Sequence, residues 1–175
     1  MVAENRLLGR PAPTAPNQVW VGDITYLPLV GGHWCYLATW RDACSRRVVG
    51  WHLAAQMPTG LVLHALEQAL TLRQPAPGLI VNADQGSQYT SAACRARIAP
   101  AGALLSFSRP GNPYDNAQAE VGWSTLKTEF LPGGSPLPRW KKPASKWPIT
   151  SIRTSTSTAA TPPSANARPT NSNTT

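Results

Sequence analysis

Leu79-Ile80-Val81-Asn82-Ala83-Asp84-Gln85-Gly86-Ser87-Gln88-Tyr89 decides how this chain is read. Leu79, Ile80 and Val81 make a short apolar run, as in a strand buried on both faces, and the Gly/Ser loop after Asp84 ends it. Asp84 is therefore expected where a buried strand reaches the surface. Ahead of it, Leu61, Leu63, Ala65, Leu66, Ala69, Leu70 and Leu72 supply the apolar stripe of a helix. Thr59 is placed to cap that helix, and Gln74-Pro75-Ala76-Pro77-Gly78 stops it. A strand that follows a helix implies a parallel crossover, so the sheet is expected to be mixed.

Upstream, the strand signals come in sequence. From Val19, alternation puts Val21, Asp23, Thr25 and Leu27 on one face and Trp20, Ile24 and Tyr26 on the other. Gly31-Gly32 marks a hairpin, after which residues 34–40 and 47–53 read as two further strands. The first three strands thus form an antiparallel meander, preceded by a Pro-rich extended leader over 1–16. Downstream, Thr90 or Ser91 caps a helix to about Ile98, and residues 104–108 form a fifth strand. Asp115 or Asn116 caps a last helix whose Ala119, Trp123, Leu126 and Phe130 lie on one side. Glu120 and Lys127 are seven residues apart on it and point the same way, beside that stripe. The order βββαβαβα predicts an α/β fold, a mixed five-stranded sheet with helices on both faces.

At 175 residues the chain has room for one domain with a real core. The formal net charge of +8 suggests nucleic acid, but its distribution matters. Up to Leu131, ten Lys/Arg face eight Asp/Glu; from Pro132 onward there are six basic residues and no acid. Residues 132–175, with eight Pro and fifteen Ser/Thr, read as a disordered basic tail. Trp140-Lys141-Lys142-Pro143 is what a GC-rich gene yields when codons for Leu-Glu-Glu-Ala are read one base out of frame, so the tail is read as a frameshift product. Neighbouring frames without a helical continuation would refute that. No run of about 18 apolar residues is present, so no membrane span is expected. Three widely spaced Cys fit neither a disulfide scaffold nor a zinc pattern, and a reducing cytoplasm is the expected home.

Asp23 and Asp84 at strand ends and Glu120 on a helix make a candidate metal site. Carboxylates that converge cannot all ionise without a cation, and hard oxygen ligands select Mg²⁺ or Mn²⁺. Two such ions stabilise the attacking and leaving oxygens of a phosphoryl transfer. W-V-G-D-I-T-Y-L, S-R-R-V-V-G-W, D-Q-G-S-Q-Y-T-S and Y-D-N-A-Q-A-E-V-G-W-S-T-L-K-T-E together resemble the integrase catalytic core of DDE-type bacterial insertion-sequence transposases, a class similar to retroviral integrases. The thirty-five residues between Asp84 and Glu120 match that family's spacing. The resemblance spans residues 17–131 and implies a ribonuclease H-like fold.

It further implies that Asp23, Asp84 and Glu120 are the catalytic triad holding two ions, and that Lys127 contacts a terminal DNA phosphate. The implied reaction is nicking at a transposon end, freeing a 3′-hydroxyl that attacks a second phosphodiester. The implied partners are transposon-end and target DNA and a separate helix-turn-helix region, with homo-oligomerisation left open and localisation in the bacterial cytoplasm at the nucleoid. The chain departs from the family at Asn82-Ala83, where His-Ser is usual, and in the tail, so it reads as a truncated core. Two other readings stand beside it: a catalytically inactive remnant that retains nucleic-acid binding, and a ribonuclease H-like nuclease.

Taken singly, each acid has an ordinary explanation as a turn or surface residue; their joint spacing carries the metal reading. Asp42 is expected to be a turn residue, Asp115 and Asn116 helix caps, and Gln85, Gly86 and Ser87 loop shapers. Arg46 and Arg47 are read as solvated strand-entry charges. His33, His52 and His64 are read as structural, and Trp123 as a core residue.

Overall fold

The computed structural model describes residues 4–109 together with residues 123, 131, 136 and 137. Strands β1 (Val19–Leu29), β2 (His33–Asp42) and β3 (Val48–Ala54) are followed by helix α1 (Thr59–Arg73) and strand β4 (Ile80–Ala83). Two short helices, α2 (Ser87–Thr90) and α3 (Ala92–Ile98), lead through a 3₁₀ turn to β5 (Leu104–Phe107). The sheet order is β3-β2-β1-β4-β5. β1, β2 and β3 pair antiparallel, whereas β4 runs parallel to β1 and β5 parallel to β4. This is the mixed five-stranded sheet that the sequence predicts.

Local chemistry sets the boundaries. Gly31 and Gly32 turn the β1–β2 hairpin with φ of 92° and 76°, a region that favours glycine. Thr59 does not cap α1: Pro58 holds the N-cap position in extended conformation, and Thr59 is already the first helical residue. Proline's fixed φ sets the entry without a side-chain bond. Gln74 closes the helix with a left-handed φ of 41°, its N–H reaching Leu70 O. Ser91 does cap α3, its Oγ accepting the Cys94 N–H at 3.2 Å.

The strands divide their side chains between two faces. On one, Trp20, Ala38, Trp40, Val81 and Phe107 pack under α1, α2 and α3. Gly50 lets α1 lie directly on β3, since a Cβ there would overlap the Ala65 carbonyl. On the other face, Leu27, Leu37, Trp51 and Leu53 pack with Trp123, Leu131 and Leu137, and Val19, Val21, Ala43 and Ile80 form a smaller group with Leu7. Helical Trp123 therefore covers the face opposite α1 and is a core residue, as expected.

The leader differs from a free extended arm. Glu4 O accepts the Phe107 N–H at 3.0 Å, the Arg6 N–H reaches Ser106 Oγ at 2.9 Å, and Arg6 Nε reaches Leu105 O at 3.0 Å. β5 is an edge strand whose amide groups need partners, and residues 4–7 provide them. The three cysteines are unpaired thiols. Among the described residues no helix is long and apolar enough to cross a membrane. Apart from Trp123, Leu131, Pro136 and Leu137, the expected last helix and the tail lie outside the described residues, as do Asp115, Asn116, Glu120 and Lys127.

Candidate active site

β1 and β4 run side by side and then part. Val19 pairs with Ile80, Trp20 with Val81 and Val21 with Asn82. Carrying that register two residues further sets Asp23 opposite Asp84, where the pairing has ended. In open α/β sheets such a parting at the carboxyl ends of parallel strands is where ligands bind.

Each carboxylate is oriented by nearby donors. Asp23 is half-buried; its Oδ1 accepts the Ile24 N–H at 2.8 Å and its Oδ2 accepts the Trp123 indole N–H at 2.7 Å. Asp84, exposed just beyond β4, turns back so that Oδ1 accepts the Gly86 N–H at 2.9 Å. A Cβ on Gly86 would stand 2.9 Å from that same oxygen, so the glycine makes room for the turn. Gln85 Nε2 donates to Ser108 O at 3.1 Å, tying the loop to the end of β5. Gln85 and Gly86 thus shape the loop, as their residue types suggest.

Tyr89 registers both acids. Its ring is buried edge-on against Trp40, and its hydroxyl is buried without a hydrogen-bond partner. Burial holds the phenol well above its ordinary pKa, and the charges of Asp23 and Asp84 push it further in the same direction.

Asn82, just ahead of the acid, is buried and knits β4 to β5. Its Oδ1 accepts from Ser106 Oγ at 2.8 Å and its Nδ2 donates to Ser108 Oγ at 3.3 Å. Asp42 proves to be the expected turn residue: its fully buried carboxylate accepts the N–H groups of Asn17, Cys44 and Ser45. Arg47 is exposed, but Arg46 is only half-exposed and has a left-handed φ of 62°. His52 and His64 come together with ring centroids 4.6 Å apart, a contact that no spacing predicted because it joins β3 to α1. Among the described residues no three His, Cys, Asp or Glu gather as a metal cage. The donation from Trp123 to Asp23 escaped sequence reading as well, since an apolar stripe reports burial and not indole orientation.

Residues 13–113 match the family described as integrase core domain. Over 118 residues the chain is 48% identical to the transposase for insertion sequence element IS904 of Lactococcus lactis, covering 67% of this chain and 46% of that protein. It is 40% identical over 132 residues to transposase InsF for insertion sequence IS3A of Escherichia coli, covering 75% and 46%. The chain spans about half the length of the curated relatives it matches. Among solved structures, a chain of the simian T-cell lymphotropic virus intasome superposes with a TM-score of 0.61 at 23% identity, covering 74% of this chain and 43% of that one. That likeness agrees with the ribonuclease H-like architecture.

Proposed function

The chain belongs to the integrase core domain family, and from that premise we propose that it is the DDE-type catalytic core of a transposase that cuts and joins DNA at the ends of an insertion sequence. The observation that carries the reading is the β1–β4 register, whose last pair, Val21 and Asn82, stands two residues before Asp23 and Asp84 on their strands.

The residues fit a hard divalent cation. The donors are carboxylate oxygens, and the buried Tyr89 hydroxyl in their field has no protein partner. Magnesium or manganese, two ions in the full site, would supply the positive charge that stabilises the attacking and leaving oxygens of a phosphodiester. The chain's own part is to hold the acids still. Trp123 and the Ile24 amide fix the rotamer of Asp23, while the Gly86 amide holds Oδ1 of the exposed Asp84 carboxylate. Glu120 is the proposed third acid. Lys127 would hold a terminal phosphate, positioning the strand without reading sequence. Transposon-end and target DNA, further copies of the chain and a separate DNA-reading region complete the proposed assembly.

The test is incubation of the protein with an end-containing duplex and Mg²⁺ or Mn²⁺. The expected products are a nick that frees a 3′-hydroxyl and a joined strand, both absent for Glu120→Gln at unchanged melting temperature. Cleavage without joining points to a nuclease. Silence with both metals leaves a non-catalytic remnant.

A further inference from the structure

Asp84 stands just beyond both ladders that hold β4. Pairing with β1 ends at Asn82, and pairing with β5 ends at Ala83. A carboxylate on an exposed loop past the last rung has little to keep it in one place. The bonds that do hold this loop converge on a single residue of the next strand end. The Ser108 N–H donates to Ala83 O at 2.9 Å, Gln85 Nε2 donates to Ser108 O at 3.1 Å, and Asn82 Nδ2 donates to Ser108 Oγ at 3.3 Å. Residues 82, 83 and 85 flank Asp84, so Ser108 grips the chain both before and after the carboxylate.

The direction of the bonds behind Ser108 fixes that grip. The Arg6 N–H donates to Ser106 Oγ at 2.9 Å, and the one proton of that hydroxyl goes to Asn82 Oδ1 at 2.8 Å. With its oxygen engaged there, Asn82 turns its Nδ2 toward Ser108. Asn82, Ser106 and Ser108 are 1%, 0% and 5% exposed, so each polar group depends on the partner it has. A buried network satisfied in this way rigidifies its surroundings, since a shift would leave a group without a partner.

We infer that Ser108 is a positioning residue for Asp84: it clamps the Asp84 loop to the end of β5 and so holds the carboxylate ready for a divalent cation. The inference rests on the reading of Asp84 as a metal ligand. A loop ordered in advance loses less freedom when the ion arrives, so the clamp raises affinity without touching the ion. The competing explanation is strand pairing alone, in which the Ser108 N–H extends the β4–β5 ladder and its hydroxyl satisfies Asn82 with no bearing on Asp84.

Mn²⁺ uptake in the absence of DNA separates these, read from the loss of the free-ion EPR signal in the wild type, Gln85→Met and Ser108→Ala. Gln85 is exposed, and methionine keeps its length while removing the donor, so Gln85→Met should melt with the wild type. Each variant should bind Mn²⁺ about threefold to tenfold more weakly, the equivalent of one lost hydrogen bond. In the metal-free protein, hydrogen exchange of the Gly86 amide, which bonds Asp84 Oδ1, should quicken by a similar factor in Gln85→Met, while Val81 within β4 exchanges as before. Wild-type Mn²⁺ affinity in both variants overturns the inference, whatever their melting temperatures. If the wild type takes up no Mn²⁺, or Asp84→Asn takes it up equally well, the metal reading of Asp84 fails, and the Gly86 rates alone then decide the clamp.

Discussion

On the α1 side of the sheet, Trp20, Trp40, Val81 and Phe107 are sealed under helices, and Gly50 brings α1 into contact with β3. On the other side the same strands present Asp23, Thr39, Arg41, Asn82 and Ser106 among their apolar residues. Alternation along each strand makes this division possible, because successive residues point to opposite faces. The sealed side supplies stability through burial. The other side, covered in part by Trp123, holds polar groups that stability alone would not select, such as an aspartate oriented by an indole.

The division breaks most visibly on the sealed side. Trp40→Ala should cost about 3–5 kcal/mol in urea unfolding, since the ring is fully buried and leaves a large cavity. Gly50→Ala should cost about 1–3 kcal/mol by forcing α1 off β3. A loss near zero in either would mean that α1 is not seated on the sheet as described. Asp23→Asn should reverse the pattern, with a stability change under about 1 kcal/mol and a fall in metal-dependent cleavage of at least about a hundredfold.

Tyr89 joins the two sides, with its ring in the sealed core and its hydroxyl in the field of the acids. Tyr89→Phe should raise metal-free stability by about 1 kcal/mol, because it removes a buried hydroxyl without a partner. Destabilisation would show that the hydroxyl is already satisfied. The smallest effect is expected at His52. Burial first, and then the His64 charge, lower its pKa below the ordinary 6.5. The unfolded chain therefore takes up the proton first, so stability holds above about pH 6.5 and declines as pH falls below it. His52→Asn should flatten that decline in thermal melts across pH 5–8.

The strands were legible because their signals are local: the run Leu79–Val81, the alternation from Val19 and the Gly31-Gly32 turn. The acids Asp23 and Asp84 were legible by type and place, but their alignment was not, since it depends on the β1–β4 register, a long-range pairing. The docking of the leader on β5 was missed for the same reason: Pro11, Pro13 and Pro16 announce an extended chain but not the edge strand that receives its first residues. The Thr59 cap failed because Pro58 already fixes the entry to α1.

The central claim is that Asp23 and Asp84 hold a divalent ion between β1 and β4. Crystals soaked in Mn²⁺ and measured at the manganese absorption edge test it most directly. The account predicts an anomalous peak with oxygens of both carboxylates at about 2.0–2.6 Å. Peaks only elsewhere, or none within reach of either aspartate, would contradict it.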